Sequence, residues 1–263
     1  MPEMSSRNEF SFKNPYRTIR PSTSKIIFLS MEGCVTEEMY FKRITELFPE
    51  VGSKIQFISV AEDVVNTPEY LRTTEQQRII SKTRPKQLLE RIETFKEKNN
   101  LQYEFDLHTD DEFWIVSDVD QNWSNAVINK NNESYRDEWL YTVSECERKH
   151  YGYAISNPFF EVWLLLHHDE INDEDKTYAV TDTNPYAKTN HFANRLKELG
   201  VPMRHKEINR AHYTRENVKE AVERAKELHK DKDDLYPKYL ASTVYRLIEK
   251  IMELLPTQNE ELA

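Results

Sequence analysis

The sequence contains few cysteines and few glycines. Its 263 residues include two cysteines, Cys34 and Cys146, and no Cys-x-x-Cys pair occurs. Neither a disulfide framework nor a zinc site with the usual ligand spacing is therefore expected. There are four glycines, while 38% of the residues are hydrophobic and 31% are charged. This composition is typical of a helix-rich globular protein and not of a disordered chain.

The sequence also lacks a long apolar run and an excess of positive charge. No stretch approaches the roughly 20 apolar residues of a membrane span, and no apolar segment follows a basic N-terminal region. We therefore expect a cytoplasmic protein with no membrane partner. The net charge of −10 argues against a uniformly basic surface that coats nucleic acid. A nuclease remains compatible with this charge, because a local basic patch and bound metal ions can hold the substrate.

The pattern of the chain changes twice and divides it into three predicted parts. Residues 1–24 are polar and contain two prolines, which predicts an extended or disordered arm. Residues 25–170 alternate short apolar runs with amphipathic stretches in the order β-α-β-α-β-α-β. That order predicts an α/β domain with a mostly parallel sheet flanked by helices. Residues 171–263 contain further amphipathic stretches, which predict a helical C-terminal extension.

Two carboxylates follow the most apolar of the predicted strands. Residues 113–116 predict a strand that is buried on both faces, and Asp118 and Asp120 lie at its carboxyl end. Alternate residues of an extended segment point the same way, so these two side chains can aim at one point while Val119 turns back into the protein. Carboxylates that converge repel each other, and a hard divalent cation such as Mg²⁺ or Mn²⁺ relieves that repulsion. The alternative is a pair of solvated loop acids, because Asp is common after strands.

A glutamate follows the first predicted strand in the same way. Residues 25–30 form a short apolar run, and Glu32 and Gly33 come directly after it. Thr36 is the expected N-cap of the helix that follows. Glu32 is therefore predicted at the carboxyl end of a strand, where open α/β sheets bind their ligands.

A second glutamate, Glu161, is the one charged residue in the apolar segment 159–166. Asn157 is predicted to cap a helix after a strand at residues 151–156, with Pro158 at its first position. Glu161 then lies in the first turn, where its carboxylate either complements the helix dipole or points into the same crevice as the other acids.

Basic residues cluster in the C-terminal part of this acidic chain. Arg204, His205 and Lys206 are consecutive, and Arg210 follows shortly after. This segment predicts a phosphate-binding patch, with a solvated surface as the alternative. Lys188 is a further candidate for contacting a substrate.

Three separated motifs are similar to those of a known family. They are Glu32-Gly33-x-x-Thr36-Glu37, then Ser156-Asn157-Pro158-x-Phe160-Glu161-x-Trp163-Leu164-Leu165-Leu166-His167, and finally Ser242-Thr243-Val244-Tyr245-x-Leu247. With the Asp-x-Asp pair between the first two, the chain resembles the RloB family of Toprim-like proteins, which is related to the AbiLii component of abortive-infection systems. The resemblance covers most of residues 25–255.

This resemblance implies a Toprim-like domain in which Glu32, Asp118 and Asp120 bind Mg²⁺ or Mn²⁺ for phosphoryl transfer. We therefore expect a metal-dependent nuclease that hydrolyses RNA, with tRNA among the candidates, or DNA. Glu161 would complete a second metal position or orient a metal-bound water. The resemblance also implies an anti-phage effector that acts beside an ABC-type or AAA ATPase encoded nearby. The general base is left open between Glu32 and other groups.

Two other functions are compatible with parts of the sequence. A non-catalytic Toprim-like subunit could bind and restrain the ATPase, although the retained metal acids argue against it. A primase or topoisomerase is disfavoured, because there is no zinc-binding cysteine set and no obvious accompanying domain with an active-site tyrosine. The oligomeric state is not determined by the sequence, which leaves a homodimer open.

Overall fold

The computed structural model describes residues 25–33, 35–58, 84–120, 134–184, 191–203, 206–231 and 237–256. The strands in these ranges are β1 (Ile27–Met31), β2 (Ile55–Phe57), β3 (Glu112–Asp118), β4 (Gly152–Asn157) and β5 (Ala241–Ser242). The α-helices are α1 (Thr36–Leu47), α2 (Pro85–Tyr103), α3 (Tyr135–Arg148), α4 (Glu161–Leu166), α5 (Asp173–Lys176), α6 (His191–Glu198), α7 (Arg215–Leu228) and α8 (Val244–Met252). Short 3₁₀ turns occur at Pro49–Lys54 and Arg210–His212. The arm predicted for residues 1–24 lies outside the described residues, as do Lys188, Arg204 and His205.

The strands form one mixed sheet in the order β2-β1-β3-β4-β5. The first four strands are parallel to one another, which confirms the predicted α/β fold with a mostly parallel sheet. β5 pairs antiparallel to β4 and comes from the C-terminal part, which we expected to be helical alone. The two residues of β5 are too few to show the alternation by which a strand is recognised in a sequence.

The central strands are buried on both faces, as predicted. Ile27 and Leu29 belong to one hydrophobic core, whereas the alternate residues Ile26 and Phe28 belong to the core on the other face. Tyr40 of α1 packs in the first core, while Cys146 of α3 packs in the second. The helices that follow the neighbouring strands β1 and β3 therefore lie on opposite faces. Such a switch point opens a crevice at the carboxyl ends of the two strands.

One core extends across the domain boundary that we predicted at residue 170. Trp163 of α4 packs in the same cluster as Phe192 of α6, Val218 of α7 and Leu247 of α8. The C-terminal helices thus complete the first core, while the position of the boundary stays a prediction. None of the helices in the described ranges is both long enough and apolar enough to cross a membrane.

The start of α1 differs from the prediction. Thr36 was expected to be the N-cap, but the helix begins at Thr36 itself after Val35. The Thr36 hydroxyl instead donates a hydrogen bond to the backbone carbonyl of Lys206, at 2.6 Å. The pattern of residues 190–199 predicts a helix with Phe192, Leu196 and Leu199 facing inward. That prediction is wrong for Leu199, which is 42% exposed. Helix α6 ends before it, and Gly200, with φ 78°, turns the chain away.

The start of α4 is the second correction. Asn157 was expected to cap the helix and Pro158 to begin it, but Asn157 is the last residue of β4, the Asn157–Pro158 peptide is cis, and α4 begins at Glu161. The buried Asn157 amide donates hydrogen bonds to the carbonyls of Val180 and Pro237, at 2.8 and 2.9 Å. It also accepts one from the Val180 N–H at 2.8 Å. Asn157 therefore fixes two C-terminal segments to the end of β4 instead of capping a helix.

Candidate active site at the carboxyl ends of the strands

A cavity of about 460 Å³ opens at the carboxyl ends of β1 and β3. We call it the carboxylate cavity, because five acidic residues line it: Glu32, Glu37, Asp118, Asp120 and Glu161. The rest of its wall includes Gly33, Thr36, Phe160, Phe192 and Lys206. The structure thus brings together all four acids predicted from the sequence, and it adds a fifth, Glu37.

Glu32 is held across the end of β3. Its backbone N–H donates to the Val116 carbonyl at 2.9 Å, which continues the pairing of β1 with β3 by one residue. Its Oε2 accepts hydrogen bonds from the Ser117 hydroxyl at 2.6 Å and from the Asp118 N–H at 3.1 Å. Burial raises the pKa of Glu32 to about 7, although these two hydrogen bonds oppose the shift. Glu32 can therefore change its protonation state near neutral pH.

Glu37 is a site residue that the sequence analysis missed. It lies in the first turn of α1, is 6% exposed, and accepts a hydrogen bond from the Gly33 N–H at 3.1 Å through Oε1. Burial, and to a smaller extent the charge of Glu161, raises the pKa of Glu37 to about 7. A sequence signal existed, because Glu37 precedes Tyr40 and Phe41 by three and four residues and so shares the buried face of the helix.

Gly33 is required by this arrangement. A Cβ atom at residue 33 would lie 1.7 Å from Oε2 of Glu37, so any side chain there would displace the carboxylate. The tight approach of the backbone to a buried carboxylate explains why a glycine follows Glu32.

Asp118 and Asp120 both line the cavity, with Val119 between them turned inward and 1% exposed. Burial raises the pKa of Asp118 well above its usual value, and the charges of Glu37, Glu32 and Glu161 raise it further. The Asp120 N–H donates to the Pro158 carbonyl at 3.2 Å. Its φ of 28° lies in the left-handed region, which costs a non-glycine residue roughly 1 kcal/mol or more. The fold therefore holds Asp120 at the cavity against a backbone preference.

Glu161, the first residue of α4, faces the same cavity. Burial raises the pKa of Glu161, Lys206 opposes that shift, and Asp120 adds to it. Glu161 thus lies in the first turn of a helix and also in the crevice with the other acids.

The predicted basic residues have different positions. Lys206 lines the cavity, with a left-handed φ of 67°, and its positive charge lowers the pKa of Glu37 and of Glu161. Arg210 forms an exposed ion pair with Glu46 and is not among the residues that line the cavity. Of the basic residues that the structure describes, Lys206 is the one brought to the acids.

The donor set of the cavity is suited to a hard divalent cation. Oxygen donors from five carboxylates surround one space, and partial removal from water together with mutual repulsion disfavours their charged forms. Within the described ranges, no group of three or more His, Cys, Asp or Glu side chains stands ready to hold a metal ion. The donor types therefore suit Mg²⁺ or Mn²⁺, whereas the positions of the described side chains do not form a ligand set, so ligation would require some side chains to turn.

A family model described as RloB-like protein matches residues 27–251, which include the whole carboxylate cavity. The chain belongs to the RloB-like protein family. Neither a curated protein nor a solved structure matches the chain.

The three motifs of this RloB-like chain have different tasks. The first contributes Glu32 and Glu37, and the second contributes Glu161. The third supports the sheet behind the site, because Thr243 Oγ1 accepts a hydrogen bond from the Ile155 N–H at 2.8 Å. The first and third motifs therefore differ in role: one supplies acids, and the other holds the strand next to them.

The end of the second motif forms a buried contact behind the cavity. His167 Nδ1 lies 2.9 Å from the Trp163 carbonyl and its Nε2 lies 3.1 Å from the Tyr40 hydroxyl. Because a carbonyl accepts only, Nδ1 carries the proton and Nε2 accepts from Tyr40. Burial lowers the pKa of His167 to about 3, so this histidine stays neutral and structural.

Proposed function

We propose that this RloB-like protein is a metal-dependent nuclease of the Toprim type, which hydrolyses phosphodiester bonds in the carboxylate cavity. The observation that carries the proposal is the convergence of five carboxylates at the switch point of a parallel sheet. Burying several acids together is unfavourable for stability. Clustered groups with raised pKa values are therefore typical of functional sites.

Glu32, Asp118 and Asp120 would hold Mg²⁺ or Mn²⁺, with Glu161 beside them. A bound divalent ion would lower the pKa of a water molecule and neutralise charge that develops on the phosphate. Ser117 and the Asp118 N–H hold Glu32 in place for this task. The carboxylate of Asp118 is aimed by the last position of β3, a rigid element of the sheet.

Glu37 is the candidate general base. Its pKa of about 7 suits a group that must take up a proton near neutral pH. Its carboxylate, held by the Gly33 N–H at Oε1, would receive the proton of the attacking water. Lys206 would contact the phosphate, and its ammonium would offset the negative charge of the leaving oxygen.

The wider role rests on the family. We propose that the nuclease is an effector of an abortive-infection defence against phage, acts in the cytoplasm, and works beside an ABC-type or AAA ATPase. The second candidate function is a non-catalytic subunit that restrains this ATPase. The five converging carboxylates favour the nuclease, because a docking role does not call for acids in a cavity.

The test is cleavage of labelled tRNA, single-stranded RNA and plasmid DNA with Mg²⁺ or Mn²⁺, with and without the ATPase. Wild type is compared with Asp118→Asn and with Asp110→Asn, a matched control. Asp110 is exposed and precedes β3, at the opposite end of that strand from the cavity. We expect metal-dependent cutting by wild type and Asp110→Asn, and a loss of at least about 100-fold in Asp118→Asn.

The substrate that is cut identifies the nucleic acid. Equal cutting by Asp118→Asn and wild type would refute the assigned centre. A stable ATPase complex without cutting in any condition would support the regulatory subunit instead.

A further inference from the structure

A second cavity, of about 390 Å³, lies beside β5. Its apolar lining includes Ala179, which follows α5, Leu228, which ends α7, and Leu240, which precedes β5. Tyr239 stands at its wall and is 74% exposed, which is unusual for so large a ring. We call it the tyrosine cavity. An exposed aromatic face beside an apolar recess is suited to a flat ligand that stacks.

The rim of the tyrosine cavity is basic, although the chain as a whole carries a net charge of −10. Lys176, Lys230 and Lys238 line it, and Asp231 is the one acidic residue among its described lining residues. Lys176 also pairs with Asp173, at 2.7 Å. Three lysines against Asp173 and Asp231 leave a small local excess of positive charge, which suits a ligand that combines a flat apolar part with an anion.

The tyrosine cavity and the carboxylate cavity lie beyond the same ends of the strands, the carboxyl ends of β3 and β4. Asp118 pairs with Ser156, and Ser156 pairs with Ser242, so two strand spacings, about 10 Å, separate Asp118 from Ser242. The chain then runs through Ala241 to Tyr239, beyond the end of β4. Tyr239 lies three residues from Ser242, which adds up to about 10 Å along the strand direction. The separation of Asp118 from Tyr239 is therefore roughly 14 Å, or about four steps along a nucleic-acid strand at about 3.4 Å each.

We propose that the tyrosine cavity binds an unpaired nucleotide of the substrate, a few positions from the phosphodiester that is cut. The base stacks on Tyr239 over the apolar lining, and a neighbouring phosphate is held by the lysines of the rim. This inference rests on the proposed function and refines it. A cavity that binds an unpaired base would select single strands or loops over perfectly paired duplexes. A base inside a duplex is stacked on its neighbours and cannot enter such a recess.

The test measures binding in the Asp118→Asn background, so that cutting does not consume the probe. The probes are fluorescein-labelled oligouridine, oligothymidine of the same length, and a fully paired duplex. Adding Tyr239→Ala is expected to weaken single-strand binding roughly five- to 100-fold, whereas Tyr239→Phe keeps the stacking face and the affinity. Adding Tyr141→Ala is the matched control, because Tyr141 is 51% exposed on α3 and does not line the cavity.

Lys230→Gln tests the electrostatic part. The slope of log affinity against log salt should fall by about 0.7 for single strands, the value for one lost phosphate contact. Thermal unfolding of each variant checks that the fold is intact.

The outcomes separate this inference from the proposed nuclease. Unchanged binding by Tyr239→Ala would overturn the nucleotide pocket and leave the proposed nuclease centre untouched. Equal weakening for the duplex would overturn base stacking. Weaker single-strand binding in Tyr239→Ala, in a protein that cuts nothing, would keep the pocket and reject the nuclease. A preference for one of the two oligomers would tell RNA from DNA.

Discussion

Burying the carboxylate of Glu37 is unfavourable, and the surroundings of this side chain determine at which pH it is protonated. Glu37 is 6% exposed and faces Glu161 across the cavity, so burial and repulsion both favour its neutral form. The Gly33 N–H and the charge of Lys206 compensate in part. The balance leaves a proton that is released near neutral pH, which is the property expected of a catalytic acid or base.

Glu37→Gln should stabilise the metal-free protein at high pH. Below pH 4.5 the carboxyl is protonated in the folded and in the unfolded chain; from there to about pH 7 the unfolded chain releases the proton and the folded chain keeps it. Stability from this group is therefore fully present below about pH 4.5, is lost as the pH rises to about 7, and stays lost above it. Gln loses nothing, so in a chelator the variant should gain roughly 3 kcal/mol over wild type at about pH 8 and little at about pH 5.

Urea unfolding of both proteins at the two pH values measures this gain. His167, whose pKa is lowered to about 3, titrates in the same way in both chains and cancels in the difference. Asp118 and Glu32 lose the repulsion of the Glu37 charge in the variant, which adds to its gain at the higher pH. A difference between the two proteins that is the same at both pH values would contradict the assignment.

Ser117→Ala should shift the pH at which metal binds. The Ser117 hydroxyl donates to Glu32 at 2.6 Å and lowers the pKa of that carboxyl against the effect of burial. Without it the pKa rises above about 7, and half-maximal Mn²⁺ binding should move up by about one pH unit. Titration of Mn²⁺ by calorimetry over a pH series measures the shift. Ser144→Ala, at an exposed hydroxyl on α3, should leave the profile in place.

At the scale of the element, the pairing of β3 with β4 aims the acids. Trp114 of β3 lies opposite Gly152 of β4 in the parallel register, and the pairing continues to Asp118 opposite Ser156. A Cβ at residue 152 would lie 2.1 Å from the indole of Trp114. The glycine therefore allows the large side chain to lie across the neighbouring strand.

Gly152→Ala should destabilise the fold by about 2–3 kcal/mol, because the added methyl group forces the indole or the strand to move. Gly52→Ala is the matched control. A Cβ at Gly52 meets nothing closer than 3.7 Å, so that variant should stay within about 0.5 kcal/mol of wild type. Urea unfolding at a single pH measures both, and equal stabilities of the two variants would contradict the packing described.

At the scale of the whole molecule, a divalent ion should stabilise the fold. The ion binds folded chains in which the acids converge, so Mn²⁺ at about 100 times its Kd should add about 2.7 kcal/mol. For a chain of this length that corresponds to a rise in Tm of roughly 5 °C at about pH 8. At about pH 5 the raised pKa values of Glu32, Glu37 and Asp118 keep these acids protonated, and the rise should largely disappear. Thermal scans of wild type and Asp118→Asn measure it; a rise of the same size in the variant would place the ion elsewhere.

Much of this site was predictable from residue types and spacing. Apolar runs that end in acids predicted Asp118 and Asp120 at the end of a buried strand, because burial on both faces leaves a signature that needs no knowledge of partners. Glu32 followed from the same pattern in β1. Glu37 was missed because a glutamate in the first turn of a helix has an ordinary explanation in the helix dipole.

Other features depended on contacts between residues distant in sequence. Asn157 and Pro158 have the residue types of a helix start, yet Asn157 binds Val180 and Pro237, and this pairing overrides the local preference. Likewise β5 exists because Ala241 and Ser242 reach the edge of β4. Two residues carry no periodicity, so no local pattern could have predicted the strand.

The sequence by itself determined the α/β class, the strands that end in carboxylates, and the family to which the chain belongs. These depend on hydrophobic periodicity and on motifs that are local in the chain. The tertiary structure alone decided that the five acids share one cavity, that Glu37 and Lys206 join them, and that Arg210 pairs with Glu46 instead. The convergence of the acids depends on the order of the strands and on the face of the sheet against which each helix packs. Both are determined by contacts between residues that are distant in sequence, so no short stretch of sequence predicts them.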